Sequence, residues 1–295
     1  MAGAGPSAAA LSESVQAAPA PPLRALVAGY SGYRQEGVPP AVHRGLPSPY
    51  LTLIITLDDP LTVARHPDPA AGPGCYLTLA GGLHTSPALI THQGRQSGIQ
   101  LALSPLGARA LLGLPAGELA SVDVDAAEVL GSVARELHER LRAAPGWAAR
   151  FALLDQLLLA HADLDQQVAP DIAAAWRLLT GSGGTMRVAE LAGRTGWSPR
   201  YLQRRLLTET GLTPKAAARV TRFDRARRRL RRRVAAGRPA GLARLAAECG
   251  YYDQAHLAAE FRDLAGCAPS AWLAEEFRNF QSSPRSGAQT RCHDR

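Results

Sequence analysis

From residue 188 onward, apolar positions recur at helical spacing in two blocks of one design. Residues 188–214 read VAELAGRTGWSPRYLQRRLLTETGLTP, and residues 242–269 read LARLAAECGYYDQAHLAAEFRDLAGCAP. In the first block Val188, Leu191 and Ala192 share one helix face. Gly196 supplies the backbone freedom of a sharp turn. Ser198 is a good N-cap and Pro199 suits the first helical position, so a second helix starts there. Its inward face is Tyr201 or Leu202, then Leu206, which leaves Arg200, Gln203 and Arg204 outward. The second block repeats this logic with Leu242, Leu245 and Ala246, a turn at Gly250 and an N-cap at Asp253. Leu257, Phe261 and Leu264 then form the buried face. Both blocks close on a glycine and a proline, Gly211 with Pro214 and Gly266 with Pro269, which stop one helix and start another. Two aligned helix-turn-helix copies predict a protein that reads two neighbouring stretches of duplex DNA.

The chain before the repeats carries a different pattern. Residues 50–57, 75–80, 88–92 and 97–103 are short β-prone runs broken by Pro, Gly and Asp, as in a β-barrel or sandwich. Residues 106–114, 125–142 and 147–164 read as helices. The Ala-, Pro-, Gly- and Ser-rich residues 1–21 read as disordered, without the basic start or apolar core of a signal peptide. The expected organisation is therefore a disordered start over 1–21, a β-rich domain over 22–124, a helical segment over 125–166, a helical repeat domain over 167–280 and a loose tail over 281–295. No apolar run approaches 18 residues, so no membrane span is expected and the protein is expected in the cytoplasm.

Charge sharpens the division. Residues 168–280 hold 20 Arg or Lys against 10 Asp or Glu, whereas residues 1–167 hold 10 against 14. Basic charge collected on the repeats is the electrostatic footprint of phosphate binding. Between the repeats, Phe223, Ala226, Leu230 and Val234 fall at spacings of three and four, which predicts a linker helix. The arginines of 225–233 would coat its other faces, mostly as a solvated surface with a few reaching phosphate. Four cysteines (Cys75, Cys249, Cys267, Cys292) show no metal spacing, and Cys249 and Cys267 fall at apolar positions of the second repeat. His43, His66, His84 and His92 lack the close pairing of a metal site and read as turn or pocket residues. No nucleophile triad, phosphate loop or carboxylate pair stands out, so neither an enzyme activity nor a cofactor is expected.

The repeats resemble the C-terminal domain of the AraC/XylS family of bacterial transcription regulators over about residues 170–277. The shared residues are Leu202, Gln203, Arg204, Arg205 and Leu206, then Glu209 to Pro214; they continue through Arg222, Ala226, Leu230, Ala246, Gly250, Tyr251, His256, Leu257, Phe261, Gly266 and Pro269. The resemblance implies an α+β protein of two domains. An N-terminal cupin-like sensor barrel with trailing dimerisation helices would precede seven helices carrying two helix-turn-helix units on a linker helix. The second helices of the two units would enter successive major-groove segments roughly 34 Å apart. Carried over by position, Arg200, Tyr201, Gln203, Arg204, Gln254 and His256 would contact bases. Ser198, Lys215, Arg222, Tyr252 and Arg262 would position the phosphate backbone. Ala258 and Ala259 stand where the family often has polar or basic residues, so the first unit is expected to supply most direct readout and the second to act through backbone and shape. The implied partners are an operator duplex, RNA polymerase, a second copy of the chain and a small-molecule effector of unspecified identity. Leu53, Ile54 and Leu57 read as barrel core rather than ligand contacts, and an apolar cavity behind them would be the default effector pocket. Two other readings stand beside this one: an N-terminal enzyme fused to a DNA-binding module, which lacks a reactive-cysteine motif because Cys75 sits alone in a strand-like run, and a ligand-free oligomerisation scaffold.

Overall fold

The computed structural model describes residues 10–281. Residues 1–9 of the expected disordered start, and the tail from 282 with Cys292, lie outside the described residues. The strands are β1 (Leu11–Ala17), β2 (Val27–Glu36), β3 (Ala41–Gly45), β4 (Leu51–Thr56), β5 (Leu61–Arg65), β6 (Gly74–Tyr76), β7 (Thr78–Gly81), β8 (Ala88–His92), β9 (Gln96–Leu103) and β10 (Asp123–Asp125). They form two antiparallel sheets, ordered β1-β2-β9-β4-β7-β10 and β3-β8-β5-β6. The expected cupin-like barrel is therefore corrected: among the described residues no ladder joins the sheets, and the domain is an open pair of facing sheets. The inner face of the larger sheet carries Ser31, Tyr33 and Gln100, which line a cavity with residues of the smaller sheet.

Five strands lie outside the β-prone runs: β1, β2, β3, β5 and the three-residue β10. β1 lies in the segment expected to be disordered; its LSESVQA is mostly polar, with Val15 and Ala17 on one face packed against the core. Its order comes from an unbroken ladder to β2, from Leu11 opposite Glu36 to Ala17 opposite Tyr30. β2 is interrupted by Gly29 and Gly32, but Gly32 has a use: a Cβ there would sit 2.5 Å from the ring of Trp147. β3 and β5 are five residues each, AVHRG and LTVAR, and each carries an arginine.

The helices are α1 (Ala108–Leu112), α2 (Ala127–Leu130), α3 (Ser132–Ala143), α4 (Trp147–His161), α5 (Pro170–Gly181), α6 (Val188–Thr195), α7 (Pro199–Thr210), α8 (Pro214–Ala235), α9 (Leu242–Cys249), α10 (Gln254–Ala265) and α11 (Pro269–Gln281). The single helix expected over 125–142 breaks at Gly131, whose φ is 57°. Helices α3 and α4 pack through Leu137, Leu141, Leu154 and Leu158, all buried. Tyr30 stacks on Phe151 at 5.9 Å and donates its hydroxyl to Asp155 Oδ1 at 2.8 Å, fixing α4 to the sheet.

The apolar core runs without a break into the C-terminal helices. Two bidentate ion pairs cross the junction. Arg109 on α1 holds Glu209 at the end of α7 (2.7 and 3.0 Å), and Arg44 on β3 holds Glu275 on α11 (2.7 and 3.0 Å). Beside the first pair, the 3-10 turn Ala116–Leu119 lies so close to α7 that a Cβ on Gly117 would fall 2.2 Å from the Thr208 carbonyl oxygen. Both repeats are thus seated against the β-rich part of the chain.

Candidate nucleic-acid interface

The two repeats fold as two helix-turn-helix units, α6–α7 and α9–α10, one on each side of α8. Gly196 and Gly250 end the first helices with φ of 70° and 78°, in the left-handed region that a side chain would strain. The predicted caps form: Ser198 Oγ accepts the Tyr201 N–H at 3.3 Å, and Asp253 Oδ1 accepts the His256 N–H at 2.7 Å. Gly211 and Gly266 close the second helices, and Thr213 caps α8 by accepting the Ala216 N–H at 3.2 Å. Inside, Leu202, Leu206, Leu257 and Phe261 are fully buried. Leu202 therefore takes the core position and Tyr201 stays outside.

On α7 the residues Arg200, Tyr201, Gln203 and Arg204 are all exposed along one face. Arg204 lies over the Tyr201 ring at 5.4 Å, and Trp197 meets that ring edge-on at 5.1 Å. This stack holds a guanidinium at the surface with little side-chain freedom left to lose on binding. On α10 the exposed face is Gln254, Ala255, His256 and Ala259, with Ala258 half-buried. His256 is braced on three sides. Its Nδ1 accepts the Tyr252 N–H at 3.3 Å, its ring meets Tyr251 edge-on at 5.3 Å, and its Nε2 lies 4.0 Å from Glu260. Ser198, Lys215, Tyr252 and Arg262 are exposed, and Tyr252 stands almost wholly in solvent at 93%. Arg222 is placed differently: it is mostly covered, donates to Glu260 Oε1 at 2.9 Å and lies over the Tyr251 ring at 5.0 Å.

The arginines of α8 are not the solvated coat expected from the sequence. Arg219 and Arg222 converge on Glu260 of α10, and Arg219 also reaches Asp263. Arg229 and Arg233 converge on Glu248 of α9, where Arg244 makes a third contact. The hydrogen bond from Arg244, with Arg233 and Arg229 adding, holds the Glu248 carboxyl below its ordinary range. Arg227 and Arg228 pair with Asp224, and Arg231 pairs with Glu276. Much of the positive run is spent fixing α9, α10 and α11 to the linker helix, so the orientation of the second unit is set by ion pairs. Sequence reasoning missed Glu209 and Glu260 as anchors. The signal was present: each stands three residues after a core leucine, Leu206 or Leu257, and an acid on an apolar stripe implies a buried cation partner.

A second feature lies between the sheets. A cavity of about 1300 Å³ is walled by both sheets and closed on one side by Arg231 and Val234 of α8 and by Leu273 and Phe277 of α11. Ile54 faces it; Leu53 and Leu57 point away into the main core. His43 and His92 line it with ring centroids 6.4 Å apart, and burial, with His92 adding, pushes His43 down to about 4. Burial lowers His92 and His84 as well. His66 is tied to Asp123 at 2.8 Å and to the Tyr76 hydroxyl at 3.2 Å. Among the described residues no three His, Cys, Asp or Glu side chains converge as metal ligands. No described helix is long and apolar enough to cross a membrane.

Comparison with known proteins follows this division. Residues 191–275 match the family model of a helix-turn-helix domain, and residues 15–125 match a family described as a domain of unknown function. No curated protein sequence matches the chain. Among solved structures, ToxT from Vibrio cholerae is similar over 83% of this chain and 97% of its own, at 11% identity and a TM-score of 0.51. That likeness spans both parts of the chain and is one of fold. ToxT with a bound unsaturated fatty acid aligns over 79% of this chain and 94% of its own, at 9% identity and a TM-score of 0.45. The DNA-binding domain of AdpA, solved with a target DNA, covers 39% of this chain and 100% of its own length, at 23% identity and a TM-score of 0.34.

Proposed function

The C-terminal domain belongs to the AraC-type helix-turn-helix family, and on that premise we propose that the protein is a sequence-specific DNA-binding transcription regulator controlled by a small molecule held in its N-terminal part. The observation that carries the first half is the pair of reading helices. Each is capped, packed and stopped alike, and each turns its polar face to solvent while its apolar face is buried. Arg200, Gln203 and Arg204 are the principal base readers, since arginine can hold guanine bidentately and glutamine adenine. Gln254, the braced His256 and the alanines of α10 give the second unit fewer hydrogen-bonding groups, so it acts more through position and shape. Ser198, Lys215, Tyr252 and Arg262 flank these faces and hold phosphate. Arg222 supports the second unit from within.

The cavity between the sheets favours a sensor over a scaffold without ligand, because a concave space of this size with apolar walls and a few convergent polar groups is the form of a small-molecule site. The fused-enzyme reading finds less support, since Cys75 is exposed on β6 and does not line the cavity. A second copy of the chain and RNA polymerase remain the expected partners of a regulator of this kind, acting from the cytoplasm.

The test is a gel-shift titration on DNA from upstream of the protein's own gene, with random duplex as competitor at fixed salt. Specific retention is expected, and the Gln203→Ala/Arg204→Ala double variant is expected to abolish the preference while keeping nonspecific binding. Equal affinity for both duplexes at every salt concentration would sink the reading.

A further inference from the structure

The walls of the intersheet cavity follow a gradient set by strand register. Across the larger sheet one inward row runs Ser31, Gln100, Ile54, Leu79, from polar on β2 and β9 to apolar on β4 and β7. Across the smaller sheet the matching row runs His43, Ile90, Val63, again from polar on β3 to apolar on β8 and β5. The polar ends adjoin, because β2 leads directly into β3 and Gln35 shares a second depression with Ala41 and His92. One half of the cavity is therefore mainly hydrocarbon, edged by Thr52, His84 and Asp123, and the other presents Tyr33, His43, His92, Gln96 and Gln100.

None of those five groups carries a charge near neutral pH. Burial holds the Tyr33 hydroxyl protonated, and it holds both histidines unprotonated. The charged residues that border the space are Glu13, Asp123, Arg231 and Glu276. Asp123 is bonded to His66 at 2.8 Å, and among the described residues the one lining cation, Arg231, already faces Glu276 at 3.4 Å. A carboxylate or phosphate entering this space would lose its hydration and meet no unpaired cation, while the fixed charges around it sum to negative. A hydroxyl or amide would meet donors and acceptors of both kinds.

We propose that the cavity takes an uncharged amphiphile, with its apolar body against Ile54, Val63, Leu79 and Ile90 and a neutral hydrogen-bonding head among Tyr33, His43, Gln96 and Gln100. The inference rests on the reading of the N-terminal part as a small-molecule sensor. Because α8 and α11 close one side of the space, such a ligand would touch the linker helix and the last helix of the DNA-binding domain.

The experiment uses the full chain and the uncharged fluorophore N-phenyl-1-naphthylamine, which brightens in apolar cavities. It is displaced by decan-1-ol, decanamide or decanoate at pH 7.5, below their aggregation concentrations. Ile90→Trp, which fills the apolar half, is expected to suppress the signal in protein whose circular dichroism is unchanged. In the parent, the alcohol and the amide are expected to displace the probe at concentrations at least ~10-fold lower than decanoate. In Gln100→Arg, which puts a cation at the polar end, decanoate is expected to gain at least as much. Decanoate displacing as well as the neutral heads in the parent overturns the proposed ligand class and leaves the sensor reading standing. A preference unchanged by Gln100→Arg also overturns it, since simple partition would then explain the order. No brightening, or equal brightening with Ile90→Trp, overturns the ligand class and the sensor reading together.

Discussion

Glu260 is the joint on which the second reading helix hangs, and its removal gives a sharp test of that role. Its side chain is 6% exposed and accepts from Arg219 at 3.0 Å and from Arg222 at 2.9 Å. In Glu260→Ala, Arg219 keeps Asp263 at 2.9 Å and can turn towards solvent. Arg222, at 16% side-chain exposure, keeps only the Gly184 carbonyl at 3.4 Å and the Tyr251 ring. Stranding one member of a buried pair costs about 3–5 kcal/mol. The remaining carbonyl, ring and partial exposure discount this to about 2–3 kcal/mol for Glu260→Ala. Glu260→Leu combined with Arg222→Leu removes both charges and is expected to cost less than Glu260→Leu alone, with a coupling of about 2 kcal/mol in a double-mutant cycle. Urea denaturation supplies the stabilities, and a gel shift on the two half-sites separately supplies the function. The single variant should weaken the second half-site more than the first, because His256 and α10 lose their brace. A loss under about 1 kcal/mol together with a coupling near zero would refute the reasoning, because surface ion pairs give values of that size.

Three further outcomes follow from the same geometry. His43 is held near 4 when folded and titrates near 6.5 when unfolded, so the unfolded chain binds the proton more tightly. Its contribution, at most about 3 kcal/mol, is complete above pH 6.5 and is lost as pH falls towards 4. Lowered His92 and His84 act in the same direction, and a pH series of thermal melts should flatten in His43→Gln; an unchanged slope would remove His43 from the account. A Cβ on Gly82 would lie 1.6 Å from the Leu119 carbonyl oxygen, which is backbone and cannot yield cheaply. Gly82→Ala should cost at least about 1–3 kcal/mol in urea titration by pushing the 116–119 turn off its seat, and a wild-type midpoint would contradict that contact. Asp253→Ala removes the cap on the His256 N–H and should cost about 1 kcal/mol, measured by the same titration, with no change if the cap is idle.

The seating of the two units differs. The first rests on the β-rich part through Glu209 to Arg109 and through the close pass of Gly117 at Thr208. The second is fixed to α8 by Glu248 and Glu260, and to β3 through Glu275 to Arg44. A ligand that moved the sheets would therefore reach the two reading helices by different routes.

Local chemistry made the repeat legible before any fold was known. Gly196, Gly250, Ser198 and Asp253 each answer to forces acting within a few residues, such as a left-handed turn or an orphan N–H at a helix start, and each sits in the structure as its neighbours in the chain require. The apolar faces of α7 and α10 were legible for the same reason, since a 3.6-residue period is a property of the chain alone. Other features depended on partners far along the sequence. β1 has only a weak pattern of its own, and it is held by its ladder to β2 and by Val15 and Ala17 against the core. The cavity between the sheets is shared by side chains from β2, β3 and β9, a space that no one strand describes. The arginines of α8 look like a charged surface in one dimension; in three, Arg227 and Arg228 pair with Asp224 of the same helix, and further acids come from α9, α10 and α11, up to 45 residues away. Short-range backbone and periodicity terms are written in adjacent residues, whereas charge pairing and cavity shape are decided by which surfaces the fold brings together.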